Sequence, residues 1–482
     1  MKSKIGILMP VASLPNRFGS GDFGPDAYRF VDDISKAGFS IWQLLPMNPL
    51  GYGNSPYQPF SSYAMDEMYI SLDRLAEKYD LPPIPDHLKK ASSIDYGDVN
   101  AFREQWLRMA FEQFQPDDDY RWFVEHEKWL EDYAVFMAFK HANDNTAWTA
   151  WPKKMRDYPQ ERKLDLEPYR KEIDFQRFLQ FTLFHQWSEL KEYANEKGIL
   201  IMGDIPFYVG LDSADCWGNR SNFLLTKDGH PRFIAGVPPD YFSAIGQRWG
   251  NPIYDWEQLE KDDFRFWMDR LGYNHTHGLF DITRIDHFRA FDTYWKIPST
   301  CPTAIEGDWI EAPGYKVLER LYKEYPDIEI VAEDLGDLRA EVYQLRDHFN
   351  LPGMNILQFT FNPDSANEVN PHSLAYTGTH DNETIAGFYH DLPASEKARW
   401  RKWFKKRTYE GKNIPDKFVS FALHCGAEMI IIPMADWLLL GKKATLNHPG
   451  SVGSPNWEWR LSSFDKFEAI LPEIRRRIKE IR

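Results

Sequence analysis

Eight short apolar segments, most of them separated by helical patterns, constrain this chain more than any other feature. They span residues 5–9, 40–45, 199–205, 279–286, 328–334, 355–359, 374–380 and 428–434. Continuous apolar runs of this length suit parallel strands buried on both faces. Eight of them alternating with helices predict a (β/α)8 TIM barrel, with a doubly wound sheet as the competitor. Between the first two segments, Gly24-Pro25-Asp26 opens a helix carrying Ala27, Phe30, Val31 and Ile34 on one face, and Gly38 ends it. The alternation then breaks from Pro46 to about Lys197. Residues 47–170 read as a helical insertion subdomain after the second strand, because a connection this long is rarely a bare loop. Residues 206–277 read as a loop and helix insertion covering a cleft after the third strand. The whole chain, 1–482, is expected to be one barrel domain without an internal repeat.

Charge sits where such a barrel would use it. The stretch GLFDITRIDHFRAF (278–291) is strand-like, yet it carries Asp281, Arg284, Asp286, His287 and Arg289. Burying several charges is tolerable only when they are paired or used. Asp204 ends the third strand, Glu333 and Asp334 the fifth, and His380 and Asp381 the seventh. In a parallel barrel these strand ends share the one face that holds active sites. Arg284 and Asp286 are two apart, so in a strand they point the same way. Any one of these residues alone reads best as half of a structural ion pair. Acids ending four separate strands read instead as a site. Two carboxylates and a third acid, without a reactive cysteine, phosphate loop or metal-ligand cluster, suit glycosidic bond chemistry. One acid attacks the sugar carbon and another protonates the leaving oxygen, while Arg284 keeps Asp286 ionised.

Composition narrows the partners. The 482 residues carry a net charge of −15, which argues against nucleic acid. The aromatic share of 16% exceeds what a core needs and fits a cleft lined with flat rings. Three distant cysteines, Cys216, Cys301 and Cys425, indicate neither a disulfide framework nor a zinc site. The reducing cytoplasm is the expected compartment. The N-terminal run IGILMPVA is short, contains Pro10 and lacks a cleavage site, so a signal peptide is not expected. No run approaches the ~20 apolar residues of a membrane span. The segment GSGDFG (19–24) fits a dinucleotide-binding fingerprint, but it lies too far from the first strand, and the second strand ends in Leu45-Pro46 without the ribose-binding acid. The tryptophans of the insertion, Trp106, Trp122, Trp129, Trp148 and Trp151, read as helical core rather than as a second sugar site.

Long motifs now carry a resemblance. ASLPNRFGSGDFG, WQLLPMNPLGYGNSPYQPFSSYA, GDIPFYVGLDSADCW, AGVPPDYFSAIGQRWGNPIYDW, RIDHFRAFDTYWKIP, AEDLGDL, LPGMNILQF and YTGTHDNET run nearly end to end. In this order they resemble the amylomaltases, the 4-alpha-glucanotransferases or disproportionating enzymes, which are relatives of the α-amylases. The resemblance implies a (β/α)8 barrel with helical insertions and no C-terminal β-domain. It implies no cofactor and no metal. The expected partners are α-1,4-glucans of starch, glycogen or maltodextrin metabolism, with glucose as an acceptor. It leaves the oligomeric state open.

The resemblance also assigns roles. Asp286 matches the nucleophile, Glu333 the general acid/base and Asp381 the third acid. Arg284 and His287 match the support around the nucleophile, His380 a hydroxyl ligand, and Asp204 an acid near the donor sugar. Ser55 and Tyr57 match acceptor-side contacts. Asp240, Tyr241, Phe242 and Trp249 match a loop over the cleft, and Asn447 a donor-side contact. A retaining double displacement is expected, with Glu333 held at a raised pKa and Asp286 at a low one. The chain departs from the family at Lys443 and Thr445, where a Glu and an Arg are usual, at Ala64 to Glu67, and at Met9. A hydrolase with the same acids, or a glucan-binding protein without activity, remains open at this point.

Overall fold

A computed structural model of the chain describes residues 3–239, 243–362 and 369–481. Twelve strands occur among them. In chain order they are β1 (Lys4–Leu8), β2 (Ile41–Gln43), β3 (Leu200–Ile205), β4 (Phe233–Val237), β5 (Gln247–Pro252), β6 (Ile282–Ile285), β7 (Thr293–Pro298), β8 (Asp308–Glu311), β9 (Ile330–Ala332), β10 (Gly353–Ile356), β11 (Ser373–Tyr376) and β12 (Met429–Pro433).

Eight of these form one parallel sheet in the order β10-β11-β12-β1-β2-β3-β6-β9. The Ala332 N–H donates to Pro352 O at 3.0 Å, next to β10, and brings the two outer strands together. The sheet is thus a nearly closed (β/α)8 barrel, as the apolar segments predict. Its strands are buried almost throughout because helices pack outside and side chains fill the inside. The sixth strand starts two residues earlier than expected and stops at Ile356. Leu357–Thr360 turns into a helix, because Gln358 reaches inward to donate to Glu383 O at 2.7 Å.

The first helix spans Pro25–Ala37 and ends where Gly38 takes a left-handed φ of 93°. Its predicted apolar face is buried. Between β2 and β3 lie the helices Tyr96–Gln113, Asp118–His126, Lys128–Ala142 and Arg170–Glu196. Trp106 is buried and Trp129 partly buried on these helices, as helical spacing suggests, whereas Trp148 and Trp151 are buried in a 3-10 turn and the residue after it rather than on a helix. Trp122 differs: it is 57% exposed and stacks on His126, one turn along its helix.

The structure adds a feature that the sequence reading lacks. β4, β5, β7 and β8 form an antiparallel sheet in the order β5-β4-β7-β8. The region after the third strand therefore contains two strands beside its loops and helices, and one of them, β4, pairs with β7, the first of two strands that follow the fourth barrel strand. The sequence hides them because they carry Gly236, Gly250, Pro252 and Lys296 and show no clean alternation.

The fingerprint-like glycines have a packing explanation. A side chain on Gly21 would sit 1.9 Å from Val11 O, and one on Gly24 would sit 2.3 Å from Ser71 Oγ. The loop is tight against its own surroundings, and no dinucleotide is needed to account for it.

Candidate active site

Arg284 lies at the centre of the strand-end charges. Register pairs Asp204 on β3 with Arg284 on β6, and Arg284 with Val331 on β9. The buried guanidinium donates from Nη1 to both Asp204 oxygens, at 2.7 and 2.6 Å. The same nitrogen lies 3.2 Å from Asp286 Oδ1, and Nη2 lies 3.3 Å from Glu333 Oε2. One cation thus faces three carboxylates from three neighbouring strands.

The chain turns sharply after β6. The Asp286 N–H donates to Ile205 O at 3.0 Å, which fixes it beside β3. His287 takes a left-handed φ of 53°, and its N–H then donates to a Glu333 carboxyl oxygen. The Glu333 N–H donates to Ile285 O at 3.1 Å. These bonds hold the two carboxyls on one guanidinium, Asp286 beside Nη1 at 3.2 Å and Glu333 beside Nη2 at 3.3 Å.

The two carboxyls, each partly open to the cleft, titrate as a pair. Burial and the Glu333 charge push Asp286 well above the usual carboxylate range, against the pull of Arg284. Burial acts on Glu333 too, but Arg284, the His287 N–H and the Asp286 hydrogen bond outweigh it and hold Glu333 below its ordinary value. These directions differ from the expectation of a raised Glu333 and a low Asp286, and they belong to the pair rather than to either carboxyl alone. The reason is the backbone turn: it aims an N–H at Glu333, and Asp286 has no equivalent donor.

The third acid has its own support. Asn447 Nδ2 donates to Asp381 Oδ1 at 2.6 Å, and His380 Nε2 lies 3.4 Å from Asp381 Oδ2. Burial raises the Asp381 pKa, yet His380, Asn447 and Arg284 together bring it down to about 2. The Asn447 N–H donates to His380 O at 3.0 Å, tying the seventh and eighth strand loops together. Tyr57 OH donates to Asp204 Oδ2 at 2.8 Å, and its ring stacks on His380 at 5.1 Å. Trp249 on β5 meets the His287 ring edge-on at 4.8 Å. Burial lowers the His287 pKa to about 4, so this imidazole is neutral near pH 7.

These groups line one open cleft of about 770 Å³. Ser55, Tyr57, Trp249, Asp286, His287, Glu333, His380, Asp381 and Asn447 all contribute to its wall. Asp204 and Arg284 sit behind it. Asp240, Tyr241 and Phe242 lie outside the described residues. Asp334, also at the end of the fifth strand, takes no part: it accepts from the Met354 N–H at 2.7 Å and pairs with Arg346. The sequence reading missed Trp457, which packs against Tyr57 and His380, and Tyr208, which packs near His287. The aromatic run PNWEW was the available signal for Trp457. Among the described residues, no group of three or more His, Cys, Asp and Glu side chains is placed to hold a metal. No helix among them is long and apolar enough to cross a membrane.

Residues 9–465 match the family described as 4-alpha-glucanotransferase. The chain belongs to that family. A 4-alpha-glucanotransferase of Synechocystis sp. is 41% identical over 474 residues, covering 94% of this chain and 93% of the relative. One from Thermus thermophilus is 39% identical over 478 residues, covering 95% and 94%. The solved amylomaltase from Streptococcus agalactiae in complex with acarbose superposes with a TM-score of 0.90 at 33% identity, covering 100% of this chain and 98% of that one. The activity is therefore that of a 4-alpha-glucanotransferase, an enzyme of carbohydrate metabolism.

The departures from the family pattern can now be located. Asp66 is a buried cap, accepting from the Met68 and Leu50 N–H groups at 2.9 Å each. Met9 is buried, and its carbonyl accepts from Trp42 Nε1 at 2.8 Å. Lys443 is exposed, and Thr445 is buried with its hydroxyl unpartnered. Nothing in the structure explains the last two.

Proposed function

We propose that the chain transfers α-1,4-glucan segments by a retaining double displacement centred on Asp286 and Glu333. Asp286 attacks C1 of a glucosyl unit while Glu333 protonates the leaving oxygen. A glycosyl-enzyme ester forms on Asp286. Glu333 then takes the proton from the 4-OH of an acceptor glucan or glucose, whose oxygen attacks C1, and the α-bond is remade. The Arg284 guanidinium carries this reading: it lies 3.2 Å from Asp286 and 3.3 Å from Glu333 and so keeps a nucleophile and its acid/base partner together at the cleft.

The proton must first leave Asp286. As the glycosidic oxygen approaches Glu333, the shared proton settles on Glu333 and Asp286 becomes the anion that Arg284 stabilises. Asp381, ionised through Asn447 and His380, faces the developing positive charge on the sugar. Asp204 acts through Arg284 and Tyr57 as a positioning residue. Ser55 is assigned to the acceptor side and Trp249 to the cleft cover. Asp240, Tyr241 and Phe242 are assigned to the same cover on the resemblance alone. Residues 47–170 and 206–277 serve as the insertion subdomain and the cleft-covering segment. Aromatic walls that hold the acceptor and exclude water favour transfer over hydrolysis.

The test is trapping. A Glu333→Gln variant given an α-maltosyl fluoride should complete the first step, because fluoride leaves without acid help, and should stall at the second. Mass spectrometry is expected to find a maltosyl adduct on the peptide containing Asp286. An adduct on any other residue would remove Asp286 from the nucleophile's role.

A further inference from the structure

Exposed apolar side chains are usually scattered singly and mean little. Three of them, Trp309 on β8 and Ile245 and Ile305 in loops beside the antiparallel sheet, are linked. Ile245, which lines the cleft, is 55% exposed; Ile305 is 54% and Trp309 41% exposed. The Ala304 N–H donates to Ile245 O at 3.1 Å, placing Ile305 beside the cleft lip. Trp295 Nε1 donates to Ala304 O at 2.9 Å. Trp295 on β7 is the register partner of Trp309 on β8, with ring centroids 5.2 Å apart. A path of backbone and ring contacts thus leads from the cleft to Trp309.

Trp309 is also tied to the reaction centre from the other side. Arg289 follows His287 by two residues, and its guanidinium lies 4.0 Å from the Trp309 ring centroid. Arg289 Nη1 donates to Asp337 O at 3.0 Å, just beyond Glu333. The indole is therefore held in place before anything binds, which removes much of the ordering cost of using it as a platform.

The chemistry of the surroundings selects the ligand. β8 carries Asp308 and Glu311, and Glu306 lies in the preceding loop, all exposed. Together with the net charge of −15, this disfavours an anion. A neutral polymer with flat C–H faces suits an exposed indole. β8 stands three strands from β5, roughly 14 Å at ordinary interstrand spacing. Only a chain considerably longer than the catalytic centre requires can reach it.

We infer that Ile245, Ile305 and Trp309 form a remote binding strip for the distal part of a long α-1,4-glucan whose other end occupies the cleft. The inference rests on the glucan-transfer reading. It makes the small sheet a length selector: long glucans engage the strip, and maltotriose does not reach it.

The experiment compares full-length wild type, Trp309→Ala, Trp309→Phe and Ile305→Ser on maltotriose and on amylose. Trp309→Ala should raise KM for amylose roughly two- to tenfold, the factor that one aromatic contact supplies. Its kcat on amylose and its maltotriose kinetics should match wild type. Trp309→Phe should recover most of the amylose affinity. Ile305→Ser, in an exposed loop, should show a smaller shift of the same kind and carries the test should Trp309→Ala misfold. Equal shifts on both substrates, or none on either, would overturn the strip. So would a concentration-dependent dimer that Trp309→Ala abolishes, since the patch would then be a contact between copies of this chain. A wild type that makes nothing longer from maltotriose would instead fault the transfer reading itself.

Discussion

Arg284 determines how the three surrounding carboxylates divide their charge, and the pH response follows from that division. The Asp286–Glu333 pair works only with one proton. Burial and mutual repulsion raise the step at which the pair loses that proton, and Arg284 with the His287 N–H lowers the step at which Glu333 takes a second. Activity should therefore fall as pH rises through the raised step, when the acid is gone. It should also fall as pH drops through the lowered step, when Asp286 can no longer ionise. Asp381 is held at about 2 by His380, Asn447 and Arg284. A kcat/KM profile should thus be bell-shaped with a broad plateau, because these macroscopic values belong to the pair. An Arg284→Lys variant should narrow it by weakening the bidentate hold. A profile with one limb only would contradict the shared proton. At this scale the sequence showed which acids meet, since strand-end positions share a face. It could not show where the proton rests, because that depends on one backbone N–H presented by a left-handed His287.

The barrel strands carry the site only because their neighbours approach closely. A side chain on Gly203, one residue before Asp204, would sit 2.2 Å from the Phe280 ring. Gly203→Ala should force that ring or the strand to move, at a cost of about 1–3 kcal/mol. Thermal unfolding should show a lower Tm, and activity should fall with it, because β3 sets the position of Asp204 under Arg284. An unchanged Tm would mean that Phe280 yields freely. The eight barrel strands were legible because a strand buried on both faces must be apolar along its whole length. β4, β5, β7 and β8 were not, because the pairing of β4 with β7 spans intervening helices and a barrel strand, and their residues serve a half-exposed sheet and a cleft wall at once. β5 illustrates this: Trp249 lines the cleft, while Asn251 in the same strand bonds inward to Val209 O at 2.8 Å.

Across the whole molecule, the parts close around the cleft from several directions. The helix Asp465–Ile481 packs on the first helix, with Phe464, just ahead of it, and Phe467 against Phe30, and with Glu468 paired to Arg29. The segment after β2 brings Ser55 and Tyr57 to the cleft, the antiparallel sheet brings Trp249, and the loop after β12 brings Asn447 and Trp457. Motif order made this assembly recognisable from the sequence, whereas Trp457 emerged only in three dimensions, where it packs against Tyr57 and His380. What such a cleft must do, beyond breaking a bond, is keep water from taking the glycosyl group. The measurement that tests this most directly is product analysis after the pure protein is incubated with maltotriose alone. Transfer should yield glucose together with maltopentaose and longer chains. Glucose and maltose in equal amounts, with nothing longer, would mean that water takes the glycosyl group and that the cleft serves a hydrolase.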